Sequence, residues 1–399
     1  MTWHLFSKKP EMKVGVVLDI GSKSVAGAVF TRSPHGKPII LYATREKLAF
    51  QKNITGERLS SNMIKALDLI LFHLEKYGVE HLRKTGTRHT VESIDVVISS
   101  PWNASETKVL TLKFSQRSLI TKALIEDLIS SEEKSFERRF EGTGHEELTH
   151  EVLERKILEM RLNGYPTGKP YGKWASELEV RIFSSIISSS TLQKMKKLVT
   201  KSFPETMLRF HTFSAVAFTS LRDLFPDIQN FLIVQVGGEV SDIAIIKRGV
   251  ITEIASAPCG HNNLIREFGR ICDNHPLCTL EGLIKIHGEV GIQTSEQKKV
   301  ETAIAETKAL WLDHFNAAIS NFSEETFLPK VAFLLEESPY TSLFEVFLKE
   351  AESSQFTATA EPLVINTIDE STASTFAEFD KNVLPDEILA LEADFTSKL

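Results

Sequence analysis

Two apolar runs, each turning on glycine, constrain the fold of this chain more than any other feature. The first is Val14-Gly15-Val16-Val17-Leu18-Asp19-Ile20-Gly21-Ser22-Lys23-Ser24-Val25. The second, more than two hundred residues later, is Phe231-Leu232-Ile233-Val234-Gln235-Val236-Gly237-Gly238-Glu239-Val240-Ser241-Asp242-Ile243-Ala244. Each reads as a strand, a Gly/Ser turn and a second strand. Glycine lacks a Cβ and tolerates positive φ, so such a turn presents backbone N–H groups at close range, as a nest for phosphate oxygens. One hairpin alone is an ordinary turn. Two in matching places of two halves point to a clamp that closes on a nucleotide, with Asp19 placed to hold a magnesium through water.

The length of 399 residues exceeds one ordinary core and predicts at least two lobes. No apolar run approaches the roughly 18 residues of a membrane span, and the first ten residues lack a signal-peptide core. A cytoplasmic protein is expected. Cys259, Cys272 and Cys278 are the three cysteines, too few for a disulfide scaffold. With His261 and His275 nearby they form no CxxC pair, so zinc is not expected. His211 and His261 read as structural groups. The net charge of −7 sits at the end: residues 361–399 carry nine acids and two bases, and the rest balances. No basic stripe for nucleic acid is visible along the sequence. The acidic end reads as a solvated or partner-binding tail.

Between the hairpins the pattern alternates strands and helices. A strand is expected at 39–43, a helix from Ser60 to Tyr77 with Gly78 as its C-cap, strands at 93–99 and 108–114, and a helix over 119–140. Residues 151–162 fit strand or helix, and 163–172 form a loop. A strand over 178–187, helices over 190–201 and 214–224, and a strand over 207–213 precede the second hairpin. Helices at 262–271, 280–286, 295–319 and 341–351 and strands at 330–335 and 362–368 complete the expectation.

Taken together, these motifs resemble the actin-like superfamily, and within it the FtsA and PilM families. Leu18 to Val25 is similar to the first phosphate motif and Val234 to Asp242 to the second. The resemblance spans about residues 12–350. It implies an α/β, two-lobed, actin-like (RNase H-like) fold with a small α+β insertion domain in the first lobe. The implied boundaries are 12–92 and 177–228 for lobe 1, 93–176 for the insertion, 229–368 for lobe 2, and 369–399 for the tail. It also implies ATP and Mg as ligands of Asp19, Gly21, Ser22, Lys23, Ser24, Gly237, Gly238 and Ser241, with Asp19 on the metal.

The departures matter as much. Gln235 stands where those families carry an acid, and an amide brings no charge to hold a cation. Glu336-Glu337 stand where a glycine pair lets the backbone approach the base. The expectation is therefore an FtsA-type scaffold with a degraded nucleotide site and little or no ATP hydrolysis, recruiting cell-division partners such as the tubulin-like protein. The alternatives are a PilM-like pilus platform with inner-membrane protein partners, and an active actin-like ATPase; self-assembly is also admitted. The lipid-binding basic helix that ends FtsA is replaced by an acidic one. Ile388, Leu391 and Phe395 are then candidate anchors for a partner, or a helix docked on its own domain. Membrane contact is expected only through partners.

Overall fold

A computed structural model describes residues 13–32, 36–84, 91–140, 149–271, 295–320, 322, 327–336, 341–351 and 361–399. The first sheet begins with β1 (Val14–Ile20), β2 (Ser24–Thr31) and β3 (Ile39–Lys47), an antiparallel meander. β4 (Val91–Ile98) pairs parallel with β1, and β9 (Met207–Thr212) parallel with β4. The second sheet repeats the plan. β10 (Phe231–Val236), β11 (Ser241–Lys247) and β12 (Val250–Ala257) form the meander, and β13 (Val331–Leu335) and β14 (Val364–Ile368) add in parallel. Sheet orders β3-β2-β1-β4-β9 and β12-β11-β10-β13-β14 are thus the same topology twice. The two-lobed actin-like architecture expected from the hairpins is present.

Both sheets are covered on both faces, which is why their central strands read as nearly continuous apolar runs. Along β1, Val14, Val16, Leu18 and Ile20 face α1 (Gly56–His73) and α4 (Ser189–Ser202). Val17 faces the opposite core, which it shares with Phe231 and Ile233 of the second sheet. That shared layer is filled by α5 (Phe213–Leu224) and the C-terminal helix (Glu387–Ser397). The outer layer of the second lobe is α6 (His261–Ile271), a long helix (Ser295–Ser320) and a shorter one (Thr341–Glu350). Their Trp311, Phe315, Phe344 and Phe347 pack on Leu232 and Val234. The helix expected at 280–286 lies outside the described residues.

A third sheet, β5-β8-β6-β7, joins β5 (Asn103–Leu119), β6 (His150–Leu162), β7 (Tyr165–Pro166) and β8 (Trp174–Ser188), backed by α3 (Lys122–Phe140). β6 resolves the open choice over 151–162 in favour of strand. Residues 93–99 do not open the insertion: β4 is an inner strand of the first sheet. Gly78 does not stop a helix either. Helical backbone continues through a π turn (Leu74–Gly78) into α2 (Val79–Lys84). A Cβ on Gly78 would sit 2.7 Å from Val29 Cγ2, so glycine there permits close helix–sheet approach.

The largest correction concerns the acidic end. Residues 369–399 are no solvated tail. β15 (Glu378–Phe379) pairs with β3, and Ile388, Leu391 and Phe395 lie in the core between the sheets, at 6%, 0% and 4% exposure. The docked-helix alternative describes them, and they cannot serve as anchors while the helix sits there. Leu391→Ala should therefore lower the unfolding free energy by about 2–5 kcal/mol in a urea titration. Truncation after Asn382 should yield a chain that does not fold cooperatively. A truncated chain with wild-type unfolding would contradict this packing.

Candidate functional site

The two glycine turns meet face to face. Each closes in the same way: Gly21 N–H donates to Ser24 O at 3.0 Å, and Gly237 N–H to Val240 O at 2.9 Å. Neither turn uses positive φ at Gly21, Gly237 or Gly238. Glycine is required instead for contact. A Cβ on Gly238 would lie 2.6 Å from the Ser22 carbonyl carbon and 2.7 Å from Lys23 N. Glu239 N–H donates to Ser22 Oγ at 3.0 Å, so one amide of the would-be cradle is spent on the facing turn. Behind the second turn, His261 N–H and Asn262 N–H at the start of α6 donate to the carbonyls of Gly237 (2.9 Å) and Gly238 (2.7 Å). Trp102 Nε1–H holds Gly21 O at 2.9 Å from the other side.

The charged side chains are joined to one another. Lys23 Nζ pairs with Glu336 Oε1 at 3.0 Å, and the Glu336 side chain is fully buried. His261 Nδ1 lies 3.5 Å from the same oxygen. Arg45 Nη1 donates to Asp19 Oδ2 at 2.9 Å and to Ser24 Oγ at 2.7 Å. The other side of its guanidinium meets Asp386 twice, Nε at 2.8 Å and Nη2 at 2.9 Å. Such two-pronged Arg–carboxylate contacts fix geometry as well as charge. Asp386 is also the N-cap of the C-terminal helix, accepting from Leu389 N–H at 2.9 Å. Arg45 therefore ties the acid of the first hairpin to the start of the last helix.

The remaining expected residues divide. Gln235 Nε2 donates to Ser99 Oγ at 2.8 Å, across the cleft from Asp19. Ser241 is turned away: its hydroxyl donates to Cys259 O at 2.6 Å and accepts from Trp311 Nε1–H at 3.2 Å, inside the second-lobe core. Assigning it to a nucleotide is corrected by that orientation. Ser24 is fully buried on Arg45. Glu337, Cys272, His275 and Cys278 lie outside the described residues. Among the described residues no cluster of His, Cys, Asp and Glu is arranged to hold a metal. Burial pushes the Cys259 thiol up to about 12, so it carries no thiolate chemistry. His211 sits 3.2 Å from Asp95, whose carboxyl burial would raise. Hydrogen bonds from His211 and Arg209 outweigh that and hold it below its usual value.

What is left between the turns is a cavity of about 30 Å³, lined by Asp19, Ser22, Lys23, Gln235, Glu336 and Ile388 among others. It has room for one or two waters, whereas small-molecule sites are typically about 300–1,000 Å³. Ile388 reaches it from the C-terminal helix. Among its lining residues one cation, Lys23, stands against two carboxylates, Asp19 and Glu336, with no positive excess for a polyphosphate. The residues present do not fit a magnesium nucleotide in this conformation. Sequence reading missed Arg45, Trp102, Asp386 and Glu392. A lone arginine in a strand and an acid at the far end of the chain give no local signal.

No protein-family model matches the chain, and no curated protein matches it by sequence. Solved structures do match. A PilM–PilN type IV pilus biogenesis complex aligns over 97% of this chain and 99% of that one, with a TM-score of 0.58 at 10% identity. The ethanolamine utilization protein EutJ from Carboxydothermus hydrogenoformans aligns at TM-score 0.43 and 11% identity over 96% and 89% of the two chains. A protein with actin-like ATPase fold and unknown function from Bacteroides thetaiotaomicron gives 0.38 and 11% over 99% of each. The first of these shares the fold along essentially the whole length.

Glu392 provides a test of the packed site. It is fully buried in the C-terminal helix. Burial, and then the Asp19 charge, push its carboxyl well above the usual value, with Asp386 adding and Arg45 opposing. Neither of its oxygens has a hydrogen-bond partner among the described residues. The folded chain keeps this proton where the unfolded chain releases it. Stability is therefore whole below the unfolded carboxylate value and is lost as pH rises from there towards the folded one, with a slope of up to about 1.4 kcal/mol per pH unit. Glu392→Gln should raise the Tm more at pH 8 than at pH 5. An equal or opposite change at the two pH values would show that the site does not hold a neutral acid.

Proposed function

We propose that this chain is a protein-docking platform of the PilM kind, built on an actin-like fold whose nucleotide cleft is closed by its own side chains. One observation carries this reading. Arg45, bridging Asp19 and Asp386, seats the C-terminal helix so that Ile388 lines the space between the two turns, where Glu336, at the end of β13, pairs with Lys23. A catalytic site needs its metal-holding acid available to the metal. Here Asp19 is paired with a guanidinium, and Gln235 supplies no second carboxylate. The reading gives the protein weak or no ATPase activity and no stable ATP–Mg complex.

The likeness to a PilM–PilN complex favours a pilus-assembly partner over a division partner, by analogy of fold. A groove of about 460 Å³ is available for such a partner. It runs between Ile157 and Leu158 of β6, Phe218 of α5, Ile251 of β12, and Phe395 and Leu399 at the chain end. Apolar walls from four elements suit an extended apolar segment of an inner-membrane protein. Among the described residues no helix is long and apolar enough to cross a membrane.

Two measurements test this. A fluorescent-nucleotide titration should show no saturable binding up to about 1 mM, the upper end of ordinary substrate constants, and phosphate release should not exceed buffer. Robust turnover by the wild-type chain would sink the platform reading. Affinity purification of the full chain from its native cells should recover pilus inner-membrane proteins. Recovery of the tubulin-like division protein in their place would move the assignment to an FtsA-type role.

A further inference from the structure

The sequence shows no basic stripe, yet the third sheet builds one at its tip by bringing two distant segments together. The end of β5 and the start of β8 are paired, with Leu119 opposite Trp174. Ile120 N–H donates to Lys173 O and Gly172 N–H to Ile120 O, both at 2.9 Å. Residues 113–122 and 161–174 hold three bases each and no acid, in a chain whose net charge is −7. Lys113 and Arg161 are paired with Glu177 (3.4 Å) and Glu159 (3.1 Å). The other four are Arg117, Lys122, Lys169 and Lys173, all exposed, and among the described residues no carboxylate pairs with them. The contacts seen for these four leave their charge in place. Arg117 donates to Trp174 O at 3.1 Å and Lys173 to Thr167 Oγ1 at 3.1 Å. Glu126, the nearest acid beyond Lys122, is itself engaged by Arg155 at 3.3 Å.

The same tip exposes the largest aromatic side chains on this domain. Tyr165 is 77% exposed, Trp174 58% and Tyr171 51%, with Leu119 beside Trp174. Large aromatics are normally buried for their area, and three together on a turn require a reason. They stand on rigid supports: Gly164 and Gly172 hold left-handed backbone at φ 81° and 76°, and Asn163 Oδ1 accepts from Ser176 N–H (2.8 Å) and Glu177 N–H (3.1 Å).

We propose that this tip docks on an anionic lipid bilayer, with the aromatic rings entering the interface and the four cations meeting lipid phosphates. Tyrosine and tryptophan favour the membrane–water boundary, where one part of the ring is apolar and the other wet. A basic residue near an anionic surface contributes about 1 kcal/mol, so four provide reversible attachment and not insertion. Leu119 beside Trp174 adds an aliphatic side chain to the exposed rings, which favours an apolar interface over a nucleic-acid strand. The inference is independent of the proposed protein partner: it gives the chain a direct hold on the membrane, where the sequence predicted only an indirect one.

Cosedimentation of the full chain with phosphatidylcholine vesicles, with and without phosphatidylglycerol, tests it. The wild type should bind only the anionic vesicles, and about 0.5 M salt should release it because the screening length falls to a few ångströms. Lys169→Glu with Lys173→Glu should weaken binding about tenfold or more. Tyr171→Ser with Trp174→Ser should weaken it as well, and both variants should keep the wild-type Tm, since these side chains are exposed. Vesicles should also shift tryptophan emission to the blue in the wild type and not in Trp174→Phe. The proposal is overturned by absence of binding to anionic vesicles, by binding that both double variants retain, or by binding of a single-stranded oligonucleotide in place of vesicles.

Discussion

The Arg45 guanidinium is the contact on which the rest of the centre depends. It joins Asp19, the acid at the end of the first strand, to Asp386, the cap of the last helix, which lies 341 residues beyond Arg45 in the sequence. A part-buried cation with carboxylates on two sides is held only if its partners stay in place, since removing one leaves a charge without its partner where water screens it poorly. The arrangement therefore adds to the apolar packing of Leu389, Leu391 and Phe395 in holding the C-terminal helix. With the helix fixed, Ile388 lines the cleft and the two hairpin turns pack on each other at Gly238 and Ser22.

In this light the paired turns are a structural joint. Their glycines permit backbone contact at Gly238 and Ser22, and their carbonyls are bound by the start of α6. The lobes then serve as a frame for surfaces elsewhere: the groove beside Phe395 and the basic, aromatic tip of the insertion sheet. The C-terminal helix contributes to both the cleft and the groove, with Ile388 in one and Phe395 in the other.

The hairpins, most strands and the helix faces were legible because their signals are local: apolar alternation, glycine turns and helical spacing. The twofold repeat of sheet topology followed from the two hairpins. What was not legible lies in contacts between distant segments. The nine acids after residue 360 suggested a solvated tail, yet Asp386 is paired with Arg45, and Glu392 is buried, with its carboxyl pushed well above the usual value. A charge count cannot register an acid that is neutralised by a strand residue far upstream. Gly78 was misread for a related reason: its role is set by Val29 across the sheet and not by its own helix. The basic tip was invisible because its two halves are separated by α3 and β6.

Amide hydrogen exchange of the full chain, with and without magnesium ATP, tests the central claim most directly. The account predicts that amides of Leu389 to Phe395 are protected as strongly as those of β1, and that nucleotide changes nothing at residues 21–24 or 237–241. Rapid exchange in the last helix, or new protection of the two turns on adding nucleotide, would contradict it and restore the cleft as a working clamp.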